Sequence, residues 1–405
     1  MQYKKSNTLR HHAPIYLDST FRRGNPLRLP CSSPIDRGRR GSAVGTRNIS
    51  IYFLSGLILC LLLLSGCSSS GSTPGGNTIR PMPTPLVDIA IQHQGTAQLQ
   101  VFQQWIALMQ QYGGDTTTYQ QQYNTDAQAL QSAKTTAAYK TALTALNSHV
   151  EAIKLPAMKA ETVKLQQQLQ QEVASWGQQH QYHNAFDNTN YPLGYEYGPN
   201  GIGGWVQDDL NSAQTLADYQ QAIENEHMYL DNFQAMTANS TDKTPYNQPH
   251  RTDLQLIQHY GKTNSRVVIV SLQEQAMRVY DNGKLVNAFL VTTGRPNLPT
   301  PPGVWWVEGK QSPTVFKPAP GTPHNSPEWY PDTPINFAMQ YHSNGYFLHD
   351  SWWRADYGPG TNYPHADASG DPFSAQGSHG CVNLSKDNAG WLYNFVQVYT
   401  PIIIY

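Results

Sequence analysis

Charge is the scarcest ingredient of this sequence. Asp, Glu, Lys and Arg make up 14% of its 405 residues, against roughly a quarter in ordinary soluble proteins, so uncharged polar side chains must carry much of the surface. Cysteine is scarce too, and four residues admit two disulfides at most. The longest apolar run, Ile51 to Leu64, has 14 residues, short of the ~20 needed to span a bilayer as a helix. Cationic excess is confined to one end. Residues 1–50 hold ten Lys/Arg against two Asp/Glu, residues 51–66 hold no charge, and the remainder holds 17 against 26. A basic start, an uncharged gap and an acidic body describe an exported protein and exclude a nucleic-acid binder.

The apolar run has the length of a signal-peptide core, with Arg37, Arg39, Arg40 and Arg47 ahead of it. Leu64-Ser65-Gly66-Cys67 follows, then Ser68-Ser69-Ser70. This pattern resembles the bacterial lipoprotein signal, in which small residues precede a cysteine that is diacylated and becomes the new N-terminus. The resemblance implies a membrane tether at Cys67, since two or more acyl chains hold where one is marginal. A plain membrane anchor is the alternative. The first 43 residues are long, basic and aperiodic, and a start near Val44 leaves a compact basic segment containing Arg47. Residues 1–66 are therefore set apart from the fold as a signal segment. Residues 67–85 are the acylated cysteine and a Ser/Gly/Thr/Pro-rich spacer, able to reach about 50 Å when extended at ~3 Å per residue.

The mature chain reads as α+β and multidomain. From 86 to 240 the apolar positions recur every three or four residues: Leu99, Phe102, Ile106 and Met109, then Leu143, Leu146, Val150 and Ile153, then Leu216, Tyr219, Ile223, His227 and Leu230. Gln-rich faces lie between them, which predicts an antiparallel helical bundle with breaks at Gly113-Gly114, near Pro156 and over 188–204. His180 and His183 are expected on a solvated helix face, because no third ligand stands at a metal-binding spacing. His227 is expected as a packed core histidine. A polar joint at 241–264 ends this region. Residues 265–405 switch to period-two and buried-strand patterns: Arg266–Leu272, Met277–Tyr280, Leu285–Val291, Val304–Val307, Ala338–Tyr341, Tyr346–Leu348 and Ile402–Tyr405. Asp281-Asn282-Gly283-Lys284 reads as a tight hairpin turn, because Asn and Gly tolerate positive φ. One short helix fits Ser385 to Val396, capped by Ser385.

Ser378-His379-Gly380-Cys381-Val382-Asn383 is the stretch richest in chemistry. A cysteine nucleophile needs a thiolate, and a neighbouring imidazole supplies one by taking the proton. Gly380 lets the backbone approach a reacting carbonyl, whose oxyanion the turn's N–H groups then stabilise. His349, at the end of the strand-like Gly-Tyr-Phe-Leu-His-Asp run, is a rigid mount for a general base. On chemistry alone, a nucleophile pair and a buried structural thiol both remain open.

The stretch also resembles the signature of the L,D-transpeptidase catalytic domain of the YkuD type: Ser or Thr, then His-Gly-Cys, an apolar residue and Asn. Val270–Tyr280, Asn282-Gly283, Thr292-Thr293-Gly294, Pro299–Gly303 and Phe347–Asp350 followed by Trp352 and Trp353 stand in the order such domains show. The resemblance covers about 265–405 and implies a β-rich YkuD-like fold acting on peptidoglycan stem peptides. It implies Cys381 as nucleophile, His349 as proton acceptor and donor, and His379 as a positioning group. Ser378, Gly380 and Asn383 would form the substrate and oxyanion loop, with simple turn-bracing the alternative for Ser378 and Asn383. No metal or organic cofactor is implied, since the thioester retains the acyl energy. The sequence departs from many members in the 28 residues from Asp350 to Gly377. This insert contains His365, a rival base placed in a Pro/Gly-rich loop, and the aromatics Trp352, Trp353, Tyr357 and Tyr363, read as a lid or glycan-facing wall or as loop packing.

The implied activity is 3→3 cross-linking with release of D-alanine. An L,D-carboxypeptidase, a protein-to-wall anchoring enzyme and a non-catalytic wall-binding lipoprotein are the other readings. The expected location is the cell envelope, membrane-tethered and facing the wall. Cys31 and Cys60 would leave with the signal segment, so no pair remains for a disulfide.

Overall fold

The computed structural model describes residues 87–405. The signal segment, the proposed start at Val44, Cys67 and the spacer lie outside the described residues.

Helix α1 (Ile89–Gln111) begins where Asp88 accepts the Ala90 N–H at 2.8 Å, and the chain turns out of it at Gly113, φ 76°. With α2 (Thr117–Ser132) and the first half of α3 (Thr136–Gln179) it encloses a core of Phe102, Ile106, Leu130, Leu146, Val150 and Ile153. The expected break at Pro156 does not occur, and α3 runs through it for 44 residues. Proline removes one hydrogen bond and crowds the preceding turn. Ile153, Ala157 and Met158 are buried on either side of it, and tertiary packing of that face outweighs the local penalty.

After α3 the chain forms a hairpin, β1 (Gln181–Asn184) with β2 (Thr189–Pro192), where a helix-breaking loop was expected. His180 and His183 therefore do not share a helix face. His180 caps α3 with its ring stacked on Trp176 at 3.5 Å, and exposed His183 lies on β1 beside Asn190 Oδ1 at 2.9 Å. A 3-10 turn, Tyr195–Tyr197, leads to α4 (Ile202–Ser212) and α5 (Leu216–Asn239). Thr215 and Asp218 make a reciprocal capping box at the start of α5. His227 is exposed, not packed; Tyr219, Ile223, Glu226 and Leu230 point inward instead. At about 100° per residue the buried stripe of a straight helix passes through Glu226, one position short of the histidine.

The segment expected as a joint carries a further helix, α6 (Arg251–His259), with Leu256 and Ile257 buried. Its polar composition hides what holds it down. Asp253 accepts from Arg278, Tyr280 and the terminal Tyr405, all of them buried.

Strands β3 (Arg266–Ser271), β4 (Ala276–Asp281), β5 (Lys284–Leu290) and β6 (Gly303–Trp306) belong to a five-stranded sheet. Asn282 and Gly283, at φ 50° and 72°, make the anticipated hairpin turn between β4 and β5. Next come β7 (Gly309–Gln311), β8 (Thr314–Phe316), β9 (Thr333–Ile335), β10 (Ala338–His342), β11 (Tyr346–Asp350) and β12 (Val382–Leu384). Helix α7 (Lys386–Phe395), capped by Ser385, and β13 (Pro401–Ile404) end the chain. The sheets have the orders β5-β4-β3-β13-β6 and β12-β11-β10-β7, with β8 and β9 paired separately. One buried cluster includes Leu169, Phe233, Ile257, Val268, Leu348 and Ile403, so helices α3, α5 and α6 share a core with both large sheets.

Candidate active site

Strands β11 and β12 are parallel neighbours, with Leu348 opposite Val382 and His349 opposite Asn383. Side chains alternate along a strand, so His349 and Phe347 lie on one face with Asn383 and Cys381. That face opens into a cavity of about 190 Å³, lined by His349, Cys381, Asn383, Ser378 and His379. Phe316, Tyr330, Trp352, Trp353, Arg354 and Asp371 complete much of its wall. Residues more than thirty positions apart thus meet because two short strands pair in register.

The protonation of His349 follows from its partners. Nδ1 lies 2.8 Å from the Asp350 carbonyl oxygen, which can only accept, so Nδ1 carries the proton. Nε2 then presents its lone pair and accepts from Asn383 Nδ2 at 3.0 Å. The amide is oriented in turn by Arg354, whose Nε donates to Asn383 Oδ1 at 3.0 Å. The Arg354 guanidinium also donates to the Ser374 carbonyl at 2.9 Å. Burial, aided by the Arg354 charge, pushes the His349 imidazole down to about 4.

Cys381 is 4% exposed, and burial pushes its thiol up to about 12. Its sulfur lies 3.9 Å from the Gly345 carbonyl oxygen. At neutral pH the resting pair is therefore a thiol and a neutral imidazole. With both charged forms desolvated, the transfer of the thiol proton to an imidazole, by which the thiolate was expected to arise, belongs to the attack itself.

His379 lines the cavity with its ring tilted against Tyr330 at 5.3 Å. Burial and the nearby Arg295 charge push it down to about 3, so it forms a neutral wall. Ser378 Oγ donates to the Cys381 carbonyl at 2.5 Å and accepts the Gly380 N–H at 3.0 Å. It braces the turn, whereas Asn383 touches the base itself. With Ser378 N–H given to Thr293 O, the N–H groups of His379 and Cys381 are the turn's remaining donors. Gly380 adopts φ 107°, and a Cβ there would stand 2.6 Å from the Tyr346 ring. The position requires glycine on both counts.

His365 does not line the cavity; its Nδ1 is 2.8 Å from its neighbour Tyr363 O. The insert divides its aromatics. Trp352 and Trp353 line the cavity, Tyr357 bonds Ser351 and the Leu384 carbonyl, and Tyr363 packs on Tyr182 and Tyr191. Sequence reasoning passed over three contributors. The Asp350 carbonyl sets the histidine tautomer, Arg354 orients Asn383, and Thr300 Oγ1 links the Gly294 N–H to the Gly380 carbonyl, both at 2.8 Å. The adjacency of Asp350 to His349 was the one available signal. Among the described residues no group of three His, Cys, Asp or Glu is gathered as a metal site.

Residues 265–404 match the profile of the L,D-transpeptidase catalytic domain, YkuD. L,D-transpeptidase 1 of Mycobacterium tuberculosis is 26% identical over 149 residues, 36% of this chain and 53% of that protein. Probable L,D-transpeptidase 3 of the same organism is 29% identical over 112 residues, 27% of this chain and 36% of that protein. A solved L,D-transpeptidase from Mycobacterium smegmatis shares 27% identity over 35% of this chain and 58% of that one, with a TM-score of 0.29. The chain spans about half, or less, of the length of the curated relatives it matches.

Proposed function

We propose that this chain, whose residues 265–404 are an L,D-transpeptidase catalytic domain, cross-links peptidoglycan through a cysteine acyl-enzyme. The observation that carries the reading is the shared face of His349 and Cys381, with the imidazole held in the tautomer that can accept a proton at Nε2. Substrate binding excludes water from an already apolar cavity. Cys381 Sγ attacks the carbonyl between the third residue and the D-alanine of a tetrapeptide stem, and His349 Nε2 takes the thiol proton as it gives up the hydrogen bond that it accepts from Asn383 Nδ2 at rest. The two N–H groups left over in the turn receive the oxyanion. Collapse expels D-alanine, whose nitrogen recovers the proton from His349, and leaves a thioester on Cys381. An amine from a neighbouring stem attacks the thioester, giving its proton to His349, and the thiol is restored as the 3→3 link forms. The thioester conserves the acyl energy, so the scheme needs no cofactor.

Mass spectrometry on a disaccharide-tetrapeptide substrate tests the reading. The expected products are free D-alanine and a 3→3 dimer, with Cys381→Ala slower by at least about a thousandfold. A cross-linking Cys381→Ala enzyme overturns the assignment. A tripeptide product alone identifies hydrolysis, and a protein-linked stem identifies wall anchoring.

The spacing of Cys67 behind the apolar run supports export and diacylation, which would tether the enzyme in the cell envelope facing the wall. Metabolic labelling with a tagged fatty acid is expected to mark the parent and not Cys67→Ser; a parent that takes up no label, or a Cys67→Ser protein that keeps it, overturns the tether.

A further inference from the structure

We propose that the helical region positions the catalytic loop through a single hydroxyl, that of Tyr195. The inference rests on the reading of Cys381 and His349 as the reacting pair, and it gives residues far upstream of the catalytic domain a role in the reaction.

Gly194, at φ 78° and packed against Met236 and Phe233, turns the chain so that Tyr195 leaves the helical region toward the β-rich half. The Tyr195 hydroxyl donates to the Gly294 carbonyl oxygen at 2.6 Å. It also accepts from Asn362 Nδ2, in the long insert, at 2.9 Å. The buried carboxyl of Glu196 lies close to the same hydroxyl. The carbonyl that receives Tyr195 belongs to the Gly294–Arg295 peptide unit. The N–H of that unit donates to the Ser378 carbonyl at 3.1 Å, and Ser378 Oγ holds both Gly380 N–H and Cys381 O. One peptide group therefore stands between a helical-region hydroxyl and the turn that carries the nucleophile. Hydrogen bonds in series through one amide polarise each other, so the Tyr195 bond strengthens the one to Ser378.

The neighbouring glycine supplies a second path. Gly294 N–H donates to Thr300 Oγ1, which donates to the Gly380 carbonyl. A Cβ at Gly294 would stand 2.3 Å from the Leu298 carbonyl oxygen, so this peptide is enclosed and cannot drift to compensate for a lost partner. On the insert side, the Tyr363 ring stacks on Tyr182 at 4.5 Å and meets the Tyr195 ring at 5.9 Å, while Asn184 donates to the Pro364 carbonyl at 2.8 Å. The hairpin β1–β2 thus grips the insert that delivers Arg354 to Asn383. Tyr195 touches none of the reacting atoms. It acts on them through the geometry of residues 378–381.

The test compares full-length Tyr195→Phe with Tyr191→Phe. Tyr195→Phe keeps the ring and deletes both hydroxyl bonds. Tyr191→Phe deletes a hydroxyl that bonds Asp187 of its own hairpin. Two rates are read: D-alanine release from a tetrapeptide, and alkylation of Cys381 by iodoacetamide, followed by mass spectrometry on the peptide that contains Cys381, with Cys67→Ser as the common background. In Tyr195→Phe, kcat is expected to fall about tenfold with KM within about twofold, because a small misplacement of the reacting group costs rate more than binding. Alkylation is expected to rise about threefold or more as the enclosed thiol loosens. Tyr191→Phe should match the parent in both. Tyr195→Phe within about twofold of the parent in both rates overturns the proposal. If the parent releases no D-alanine, the proposed activity fails, and the alkylation comparison alone decides on the brace. Should Tyr195→Phe not fold, Asn362→Ala, which removes the donor orienting that hydroxyl, should move both rates the same way by about threefold; unchanged rates overturn the proposal.

Discussion

Arg354, Asn383, His349 and Asp350 form one directed chain of donors and acceptors, and its direction sets the chemistry. The Asp350 carbonyl fixes the proton on Nδ1, and the Asn383 amide steadies the lone pair that must receive the thiol proton. With His349 held near 4, the acid limb of the kcat/KM profile is expected near pH 4, well below the ordinary histidine value of 6.5. Replacing Arg354 by Met removes a positive charge that disfavours imidazolium and frees the Asn383 amide. Both effects raise the His349 value, so the acid limb should move toward neutral pH, with a fall in kcat of about tenfold. A pH–rate profile checks both. Cys381 and His349 were candidates by their types and neighbours and were singled out by the resemblance of their motifs. Arg354 could not be singled out, because nothing in an insert of Trp, Gly, Pro and Asp indicates which side chain returns to the base.

The site depends on elements too short to announce themselves. β12 has three residues, Val382–Leu384, and becomes a strand only by pairing with β11. The hairpin β1–β2 has no alternating apolar pattern to mark it. Continuous runs buried on both faces, such as β3, β4 and β13, were readable because their apolar and β-branched residues stand together in the sequence. Pro156 misled because a 44-residue helix draws its stability from burial along its length, which local propensity does not record. The turn before β12 is the most exacting element. Gly380→Ala must place a Cβ against the Tyr346 ring at φ 107°. It is expected to cost about 1–3 kcal/mol of stability, read by thermal unfolding, and to abolish detectable D-alanine release.

For the molecule as a whole, acid and alkali act on different buried groups. His349 titrates near 4 when folded and near 6.5 when free, so the folded state takes up its proton later. Its contribution is complete above pH 6.5 and falls by about 3 kcal/mol on acidification through 4. Glu226, 1% exposed and with neither carboxylate oxygen hydrogen-bonded, is pushed up to about 9 by burial and by Asp209 and Glu161. Its sign is opposite: the protonated form suits the fold, and stability erodes as pH rises from 4.5 toward 9. Glu226→Gln should match the parent at pH 4.5 and exceed it by a few kcal/mol at pH 8. Urea midpoints at the two values check this; equal midpoints at pH 8 overturn it.

The amino-acid order alone determined the Asn-Gly hairpin, the Ser385-capped helix and the α-then-β division, because each rests on local chemistry or a short period, while Cys381 and His349 were singled out by the resemblance of their motifs to a known family. Charge scarcity also took its meaning there, as a Gln-rich exterior around helices. The register of β11 on β12, the Arg354 return and the Tyr195 contact belong to tertiary structure. They join residues 29 to 167 positions apart, and such meetings are set by how buried faces pack. The same packing decides that Cys381 rests as a thiol, since burial, not sequence neighbours, sets the energy of its charge.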